Sequence, residues 1–161
     1  MHPAYTTSGR PFRTVLDRYY QEMTSGINLA ATLFLTGVVW VLQVVQLPLF
    51  LKVQDLAVIV EHRRRNSMLM SSPMLVELIT AVWLCWVRSG AAPLVALVLL
   101  GVIWVVTFAW YMPQYQRLTT GYDEVIVRRL LAGNWVRSVI WTLRSAIMLY
   151  IVGQALPPAV G

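Results

Sequence analysis

The sequence is poor in the residues that bind metals and build redox centres. It contains one cysteine, Cys85, so an intrachain disulfide and a cysteine-based metal site are excluded. Its two histidines lie outside the long apolar runs, His2 at the N-terminus and His62 in a polar stretch. No apolar run therefore carries a histidine ligand for haem, a pigment or a metal. We expect no cofactor and no metal site.

Catalytic motifs are scarce as well. The sequence has no glycine-rich phosphate loop, no serine, histidine and aspartate set and no paired carboxylates of the kind that act as general acid and base. The net charge of +6 comes from basic residues beside the apolar runs, in no pattern typical of DNA or RNA binding. We therefore assign no catalytic residue and expect no nucleic-acid partner.

Charge is the third scarcity, and it decides the class of protein. Charged residues make up 12% of the chain and hydrophobic residues 58%, with a mean hydropathy of +0.63, whereas about a quarter of an ordinary soluble domain is charged. Four apolar runs can each cross a hydrocarbon core of about 30 Å, which takes roughly 20 helical residues. We name them spans 1 to 4, at residues 26–50, 68–87, 91–112 and 134–156. The sequence predicts an all-α polytopic membrane protein, an antiparallel bundle of four transmembrane helices in a lipid bilayer.

Polar segments precede and follow the predicted bundle. Residues 1–25 form an N-terminal extension, and residues 157–161 form a short tail after two prolines that end span 4. No small-residue cleavage pattern follows span 1, so we interpret it as a retained helix and not a signal peptide. The extension is predicted either as a partly ordered tail or as a short helix on the membrane surface. In that surface helix, five side chains would face the lipid, namely Phe12, Leu16, Tyr19, Tyr20 and Met23.

Basic and aromatic residues indicate how the bundle lies in the membrane. The segments after spans 1 and 3 carry seven basic residues, namely Lys52, Arg63, Arg64, Arg65, Arg117, Arg128 and Arg129. The opposite side carries four, namely Arg10, Arg13, Arg18 and Arg88. The positive-inside rule places loops 51–66 and 113–133 in the cytoplasm, although the arginines before span 1 leave the inverse orientation open. Five aromatic residues near the ends of the spans are typical of interfacial aromatic belts, namely Trp83, Trp86, Tyr111, Trp135 and Tyr150.

Two opposite charges lie deep inside the predicted spans. Glu77 of span 2 and Arg144 of span 4 lie about 14 and 15 Å from the same membrane side, at about 1.5 Å per helical residue. A charge at that depth normally faces the bundle interior and a partner. We therefore predict an ion pair between Glu77 and Arg144. Arg137, about one turn inside span 4, is predicted either to line the same face or to extend to the headgroups.

Further polar residues fall in the same half of the bundle. Together they predict an intramembrane polar network or anion site made of Glu77, Arg144, Arg137, Asn134, Gln43, Gln46 and Thr107. In one alternative these groups satisfy one another as contacts between helices. In the other, two arginines against one glutamate leave a positive charge for an anion such as a lipid phosphate or a carboxylate. A separate headgroup patch is predicted at His62, Arg63, Arg64 and Arg65.

Five stretches follow one another between residues 38 and 145, namely "LQVVQLPLF", "HRRR", "PMLVEL", "MPQYQRL" and "NWVRSVIWTLRS". In this order they resemble a family of small, largely uncharacterised bacterial four-helix membrane proteins and, more remotely, the anthrone oxygenase-like membrane proteins. The resemblance implies the four-span bundle and a place in the inner membrane of a bacterium. Four residues match positions that recur in that family, namely Glu77, Asn134, Arg137 and Arg144. A second histidine that often follows the first by one turn is missing here, where Arg65 and Asn66 follow His62.

These observations favour a non-enzymatic accessory or structural subunit of a larger membrane complex, energy-transducing or photosynthetic. Such a subunit would pack its apolar surface against the complex, with a bound lipid or pigment there. One alternative is a cofactor-independent oxygenase or isomerase acting on a lipophilic aromatic substrate, with the arginines stabilising an enolate or phenolate and Glu77 or His62 moving the proton. The other alternative is a membrane protein that binds a lipid anion.

Overall fold

The computed structural model describes residues 10–88 and 90–154, and their side chains from residue 16 onward. Four helical segments of this part are long and apolar enough to cross a membrane, at Leu16–Leu49, Leu56–Val87, Ala91–Thr120 and Glu124–Gly153. The predicted all-α architecture with four membrane-spanning helices is therefore confirmed. The predicted tail at residues 157–161 lies outside the described residues.

In the described residues, five α-helices, two π-helical segments and one short α-helical turn form the bundle. We label the helices α1 (Arg10–Val41), α2 (Leu56–Val87), α3 (Ala91–Val105), α4 (Met112–Thr120) and α5 (Glu124–Gly153). The first π segment, Leu42–Gln46, continues α1 and leads into one α-helical turn, Leu47–Leu49. The second π segment, Val106–Tyr111, joins α3 to α4. The third crossing therefore consists of α3, the second π segment and α4.

The helices extend beyond the apolar runs that predicted them. Helices α2 and α5 begin at Leu56 and Glu124, inside the stretches expected as loops 51–66 and 113–133. Each start is capped, because the carboxylates of Asp55 and Asp123 accept a hydrogen bond at 2.8 Å from the backbone N–H two residues on. Hydropathy marks the membrane crossing, whereas a capped helix continues through polar residues into the aqueous phase.

The first helix includes most of the predicted polar extension. Helix α1 begins at Arg10, so the N-terminal segment is continuous with span 1. Four of the side chains expected to face lipid are exposed, namely Leu16, Tyr19, Tyr20 and Met23, while the Phe12 side chain lies outside the described ones.

The connection between α2 and α3 contains a glycine in a conformation that other residues rarely adopt. Gly90 has a φ of +140°, which glycine tolerates because it has no Cβ. This residue reverses the chain between α2 and α3.

The arrangement of the helices places α2 and α5 across the bundle axis from each other. Helix α1 packs against α2 and α5, and α3 packs against the same two helices. We call the end that holds connections 50–55 and 121–123 the loop end, and the end that holds Gly90 the turn end. Apolar clusters form the core at the loop end, in the middle and at the turn end. Buried polar side chains lie between the helices among these clusters.

Candidate functional site

Glu77 of α2 and Arg144 of α5 form a salt bridge across the bundle axis, and both side chains are completely buried. The same Arg144 nitrogen, Nη1, contacts Glu77 Oε1 and the hydroxyl of Thr32. That hydroxyl also lies 2.8 Å from Glu77 Oε1, and the indole N–H of Trp141 donates to Glu77 Oε2 at 3.4 Å. The ion pair that matching depth predicted is therefore present, and α1 contributes to it.

The remaining donors of Arg144 are also satisfied. Its Nε donates to the carbonyl of Ala96 at 3.1 Å, and its Nη2 donates to Asn28 Oδ1 at 3.1 Å. Asn28 in turn donates to the carbonyl of Glu77 at 2.9 Å and to the hydroxyl of Thr80 at 2.7 Å. This network joins all four crossings and leaves no Arg144 nitrogen for a ligand. It corresponds to the alternative in which polar groups hold the helices together.

Arg137 has a different environment, although it lies on the same helix. Its side chain is buried, with 2% exposure, so it does not extend to the headgroups. Nη1 donates to Asn134 Oδ1 at 3.3 Å, and Nη2 lies 4.0 Å from the Met70 sulfur. The guanidinium carbon lies 4.4 Å from the ring centroid of Tyr111 and 5.2 Å from that of Trp141. These rings offer their negative faces to the cation but do not neutralise it.

No carboxylate balances Arg137. All seven acidic residues lie between Asp17 and Glu124, within the described side chains, and Arg137 forms no salt bridge with any of them. Its Nε has no acceptor among the described residues. A buried charge without a partner costs several kcal/mol, about 3–5 kcal/mol where a pair has been broken. The part of the chain that the structure describes thus contains one buried cation that no carboxylate neutralises.

Gln43 and Asn134 orient this cation. Asn134 Nδ2 donates to Gln43 Oε1 at 2.9 Å and to the carbonyl of Val39 at 3.1 Å. These bonds turn Asn134 Oδ1 toward Arg137. Three predicted site residues therefore form one chain of contacts from α1 to α5. Gln43 belongs to the first π segment, where it is buried beside Leu42.

A cavity of about 270 Å³ lies beside Arg137, between α2 and the third crossing. Three other residues of its lining each carry a buried polar atom that lacks a hydrogen-bond partner in the described part of the chain: Trp104 Nε1, Thr107 Oγ1 and Tyr111 Oη. Each of them carries a hydrogen to donate. With Arg137 Nε, four donors at one cavity have no acceptor. An unsatisfied buried donor costs about 1–3 kcal/mol, so this concentration indicates a place for an acceptor.

The second π segment brings two of these donors to the cavity. Ile103, Thr107, Tyr111 and Tyr115 recur every four residues, and all are buried. In a regular α-helix each step of four residues drifts about 40° around the axis. The wider π turn counteracts this drift and keeps the four side chains on the inner face. Single π turns of this kind are frequent at functional sites.

Gln46 and His62 belong to another contact. Gln46 Oε1 contacts His62 Nε2, and His62 Nδ1 lies 2.7 Å from the hydroxyl of Tyr115. The Phe50 and His62 rings pack edge to face, with centroids 5.0 Å apart. His62 thus faces into the loop end of the bundle, where it joins the end of the first crossing, α2 and α4. The residues of the predicted headgroup patch therefore do not form one cluster, because His62 lies apart from the exposed Arg64 and Arg65.

The other members of that patch lie outside this contact. Arg64 and Arg65 contact the carboxylate of Glu61 at 2.8 and 2.6 Å on the exposed face of α2. The guanidinium of Arg63 lies 5.9 Å from the ring centroid of Tyr115. The exposed Arg64 and Arg65 face lipid headgroups or water, whereas His62 faces into the bundle.

Trp104, Tyr111 and Met70 are the site residues that sequence reasoning missed. Tyr111 was expected in an interfacial belt, yet it is 2% exposed and contacts Arg137. The other four expected belt residues are exposed, namely Trp83, Trp86, Trp135 and Tyr150. The described residues contain no cluster of three His, Cys, Asp or Glu side chains able to hold a metal.

No protein-family model, curated protein or solved structure matches the chain. The resemblance to small bacterial four-helix membrane proteins therefore stays a prediction. Conclusions about function rest on the cavity and the two arginine environments.

Proposed function

We propose that this chain is an integral membrane protein that binds a lipophilic anion at Arg137. The observation that carries the proposal is the contrast between two buried arginines of α5. Arg144 has a carboxylate and an acceptor for every nitrogen, whereas among the described residues Arg137 has no carboxylate and no acceptor for its Nε. If both served only to hold helices together, both would be satisfied within the bundle. An anion in the adjoining cavity supplies the missing charge and acceptors.

The cavity lining supports a ligand with an apolar body. Besides the donors, it contains Met70, Met74, Leu75, Phe108 and Met112. Methionine side chains are flexible and polarizable, so they adapt to an irregular or variable apolar ligand. A small polar head in the cavity and an apolar remainder in lipid fit this combination.

The enzyme alternative receives less support from the same geometry. Glu77 and Arg144 do not line the cavity, and Trp141 lies between them and Arg137, in contact with both sites. Among the described residues, the cavity lining includes neither a carboxylate nor a histidine that would move a proton. Binding is therefore favoured over turnover.

A role as subunit of a larger complex stays a prediction. The outer surface carries many exposed apolar side chains, such as Val44, Val105 and Trp86. Contact with a lipid bilayer accounts for such a surface without a protein partner.

The proposal is tested by ligand-dependent thermal unfolding of the purified protein in phosphatidylcholine nanodiscs. The probes are hexadecanoate, hexadecyl phosphate and the neutral hexadecanol. A ligand that binds only the folded state raises the unfolding midpoint. We expect at least one anion to raise the midpoint of the wild type and of Arg129→Met, an exposed-site control on α5, but not that of Arg137→Met. An equal response of Arg137→Met, or no anion acting more strongly than hexadecanol, contradicts the proposal.

A further inference from the structure

We infer that the anion is the carboxylate of a single-chain fatty acid, which reaches Arg137 sideways from the leaflet at the loop end. This inference rests on the proposed function and specifies its ligand. Three features of the cavity carry it: the amount of uncompensated charge, the number of unpaired donors and the order of polar and apolar residues along the lining.

The charge at the cavity fits a monoanion. Arg137 is the one charged residue on the described lining, and the nearby Glu77 and Arg144 neutralise each other. One positive charge is therefore left to balance. A phosphate monoester carries about −1.5 to −2 charges at neutral pH, so it would leave negative charge buried in the bundle. A carboxylate leaves none.

The donors fit two oxygen atoms on one planar head. Arg137 Nε, Trp104 Nε1, Thr107 Oγ1 and Tyr111 Oη each lack an acceptor. An ionised carboxylate accepts at two oxygens with about four lone-pair sites. A phenolate offers a single oxygen and would leave part of this set unsatisfied. All four donors belong to residues of one cavity lining, three on the third crossing and one on α5.

The lining also has the polarity order of a lipid leaflet. On α2, Ser67 and Ser71 line the cavity toward the loop end, and Met74 and Leu75 line it deeper in the bundle. Leu75 and Phe108 line the cavity and are 54% and 55% exposed on the outer apolar surface, so we place its opening to lipid between these two side chains. A fatty acid in that leaflet has its carboxylate near the interface and its chain toward the midplane. It enters without reversing direction.

The size of the cavity agrees with one chain. A volume of about 270 Å³ lies just below the range of about 300–1,000 Å³ that is typical of complete small-molecule sites. The cavity accommodates the head and the first carbons, and the rest of the chain lies along Leu75 and Phe108 in the lipid. A glycerophospholipid would bring two chains and a bulkier head to the same opening.

The test measures binding of [1-13C]hexadecanoate to the protein in phosphatidylcholine nanodiscs. Native mass spectrometry gives the number of bound ligands per chain, and the carboxyl 13C chemical shift shows whether the bound ligand is ionised. Competitors are hexadecyl phosphate, 4-pentadecylphenol, hexadecanol and hexanoate. We expect one ionised hexadecanoate per chain. It should bind at least tenfold more tightly than the phosphate, the phenol or the water-soluble hexanoate.

Each outcome bears on a different statement. Tighter binding of hexadecyl phosphate or of the phenol overturns the carboxylate assignment and leaves the anion site at Arg137 intact. Hexanoate binding as tightly as hexadecanoate overturns entry from the leaflet. Failure of every anion, or equal binding to Arg137→Met, overturns the proposed function itself.

A pair of variants tests the route. Leu75→Trp places a bulky ring at the lipid opening, whereas Ile79→Trp adds the same ring one turn further along α2, away from the cavity lining. We expect Leu75→Trp to slow hexadecanoate association at least fivefold and Ile79→Trp to leave it unchanged. Unchanged association in Leu75→Trp contradicts lateral entry between Leu75 and Phe108.

Discussion

Arg137 and Arg144 lie about two turns apart on one face of α5, and both are buried, but within the described residues only Arg144 touches a carboxylate. Arg144 is enclosed by Glu77 and by acceptors from neighbouring helices. Arg137 is held by an amide oxygen, a methionine sulfur and two aromatic rings, beside a cavity. Arg144 thus belongs to an ion pair that stabilises the bundle, whereas Arg137 lies at a position that lacks an anion. Removal of a charge at these two positions should therefore have opposite effects on stability.

Removal of the Glu77 carboxylate should destabilise the bundle strongly. Glu77→Ala leaves Arg144 buried without its counter-ion, which costs about 3–5 kcal/mol. Arg137→Met removes a cation that has no counter-ion, so we expect it to preserve or raise the stability of the ligand-free protein. Thermal unfolding in detergent, followed by circular dichroism, compares the two variants. Equal midpoints for Glu77→Ala and Arg137→Met would be inconsistent with these assignments.

Replacement of both charges of the central pair should recover part of the lost stability. The double variant Glu77→Leu/Arg144→Met leaves no buried charge at this position, and apolar replacements of buried pairs are often tolerated. Recovery stays incomplete because Asn28 Oδ1 loses its Arg144 donor. The expected midpoint lies between those of Glu77→Ala and the wild type. A double variant no more stable than Glu77→Ala would show that charge pairing is not what Glu77 contributes.

The hydroxyls of Thr107 and Tyr111 should matter for ligand binding and little for stability. Thr107→Val breaks no hydrogen bond among the described residues, and Tyr111→Phe keeps the ring that contacts Arg137. Hydrogen bonds to a charged group contribute about 1.5–3 kcal/mol, so each substitution should weaken anion binding about tenfold or more.

Tyr115→Phe is the matched control for these hydroxyl deletions. The Tyr115 hydroxyl contacts His62 and does not line the cavity. We expect this variant to lower the thermal midpoint while the dissociation constant of the anion stays unchanged. Comparable loss of anion affinity in Tyr115→Phe would remove the distinction between site hydroxyls and structural hydroxyls.

His62 should stabilise the loop end, in contrast to its exposed neighbour. His62→Ala leaves Gln46 Oε1 and the Tyr115 hydroxyl without their contact, at a cost of about 1–3 kcal/mol. Arg64→Ala removes one half of an exposed ion pair with Glu61, and such pairs contribute about 0–1 kcal/mol. Chemical unfolding of both variants in detergent checks the difference. A larger loss in Arg64→Ala would support the headgroup patch in place of an inward His62.

The ion pair could be predicted from the sequence because burial of a charge in lipid is costly enough to require a partner. Glu77 and Arg144 are the two charges near mid-depth, and their depths alone fixed the pairing. The bounds of the crossings were less predictable, since an apolar run ends where the membrane ends while its helix continues to a cap. The caps at Asp55 and Asp123 were nevertheless a signal that composition alone does not use.

The cavity could not be predicted because it depends on the second π segment. At a strict 100° per residue, the positions from Ile103 to Tyr115 drift about 120° around the helix axis, and no residue in "VTFAWY" marks a wider turn. Tyr111 near the end of a span also matches the pattern of an interfacial aromatic, which hides its contact with Arg137. His62 was misplaced for a similar reason, since three arginines after it are typical of a surface.

Native mass spectrometry of the protein, extracted from its membrane with a mild detergent, tests the central claim most directly. Wild type and Arg129→Met should each carry, or take up on addition of hexadecanoate, one anionic amphiphile per chain, and Arg137→Met should carry none. An adduct retained in Arg137→Met, or a folded wild type that neither carries nor takes up an anionic amphiphile, would contradict an anion site at Arg137.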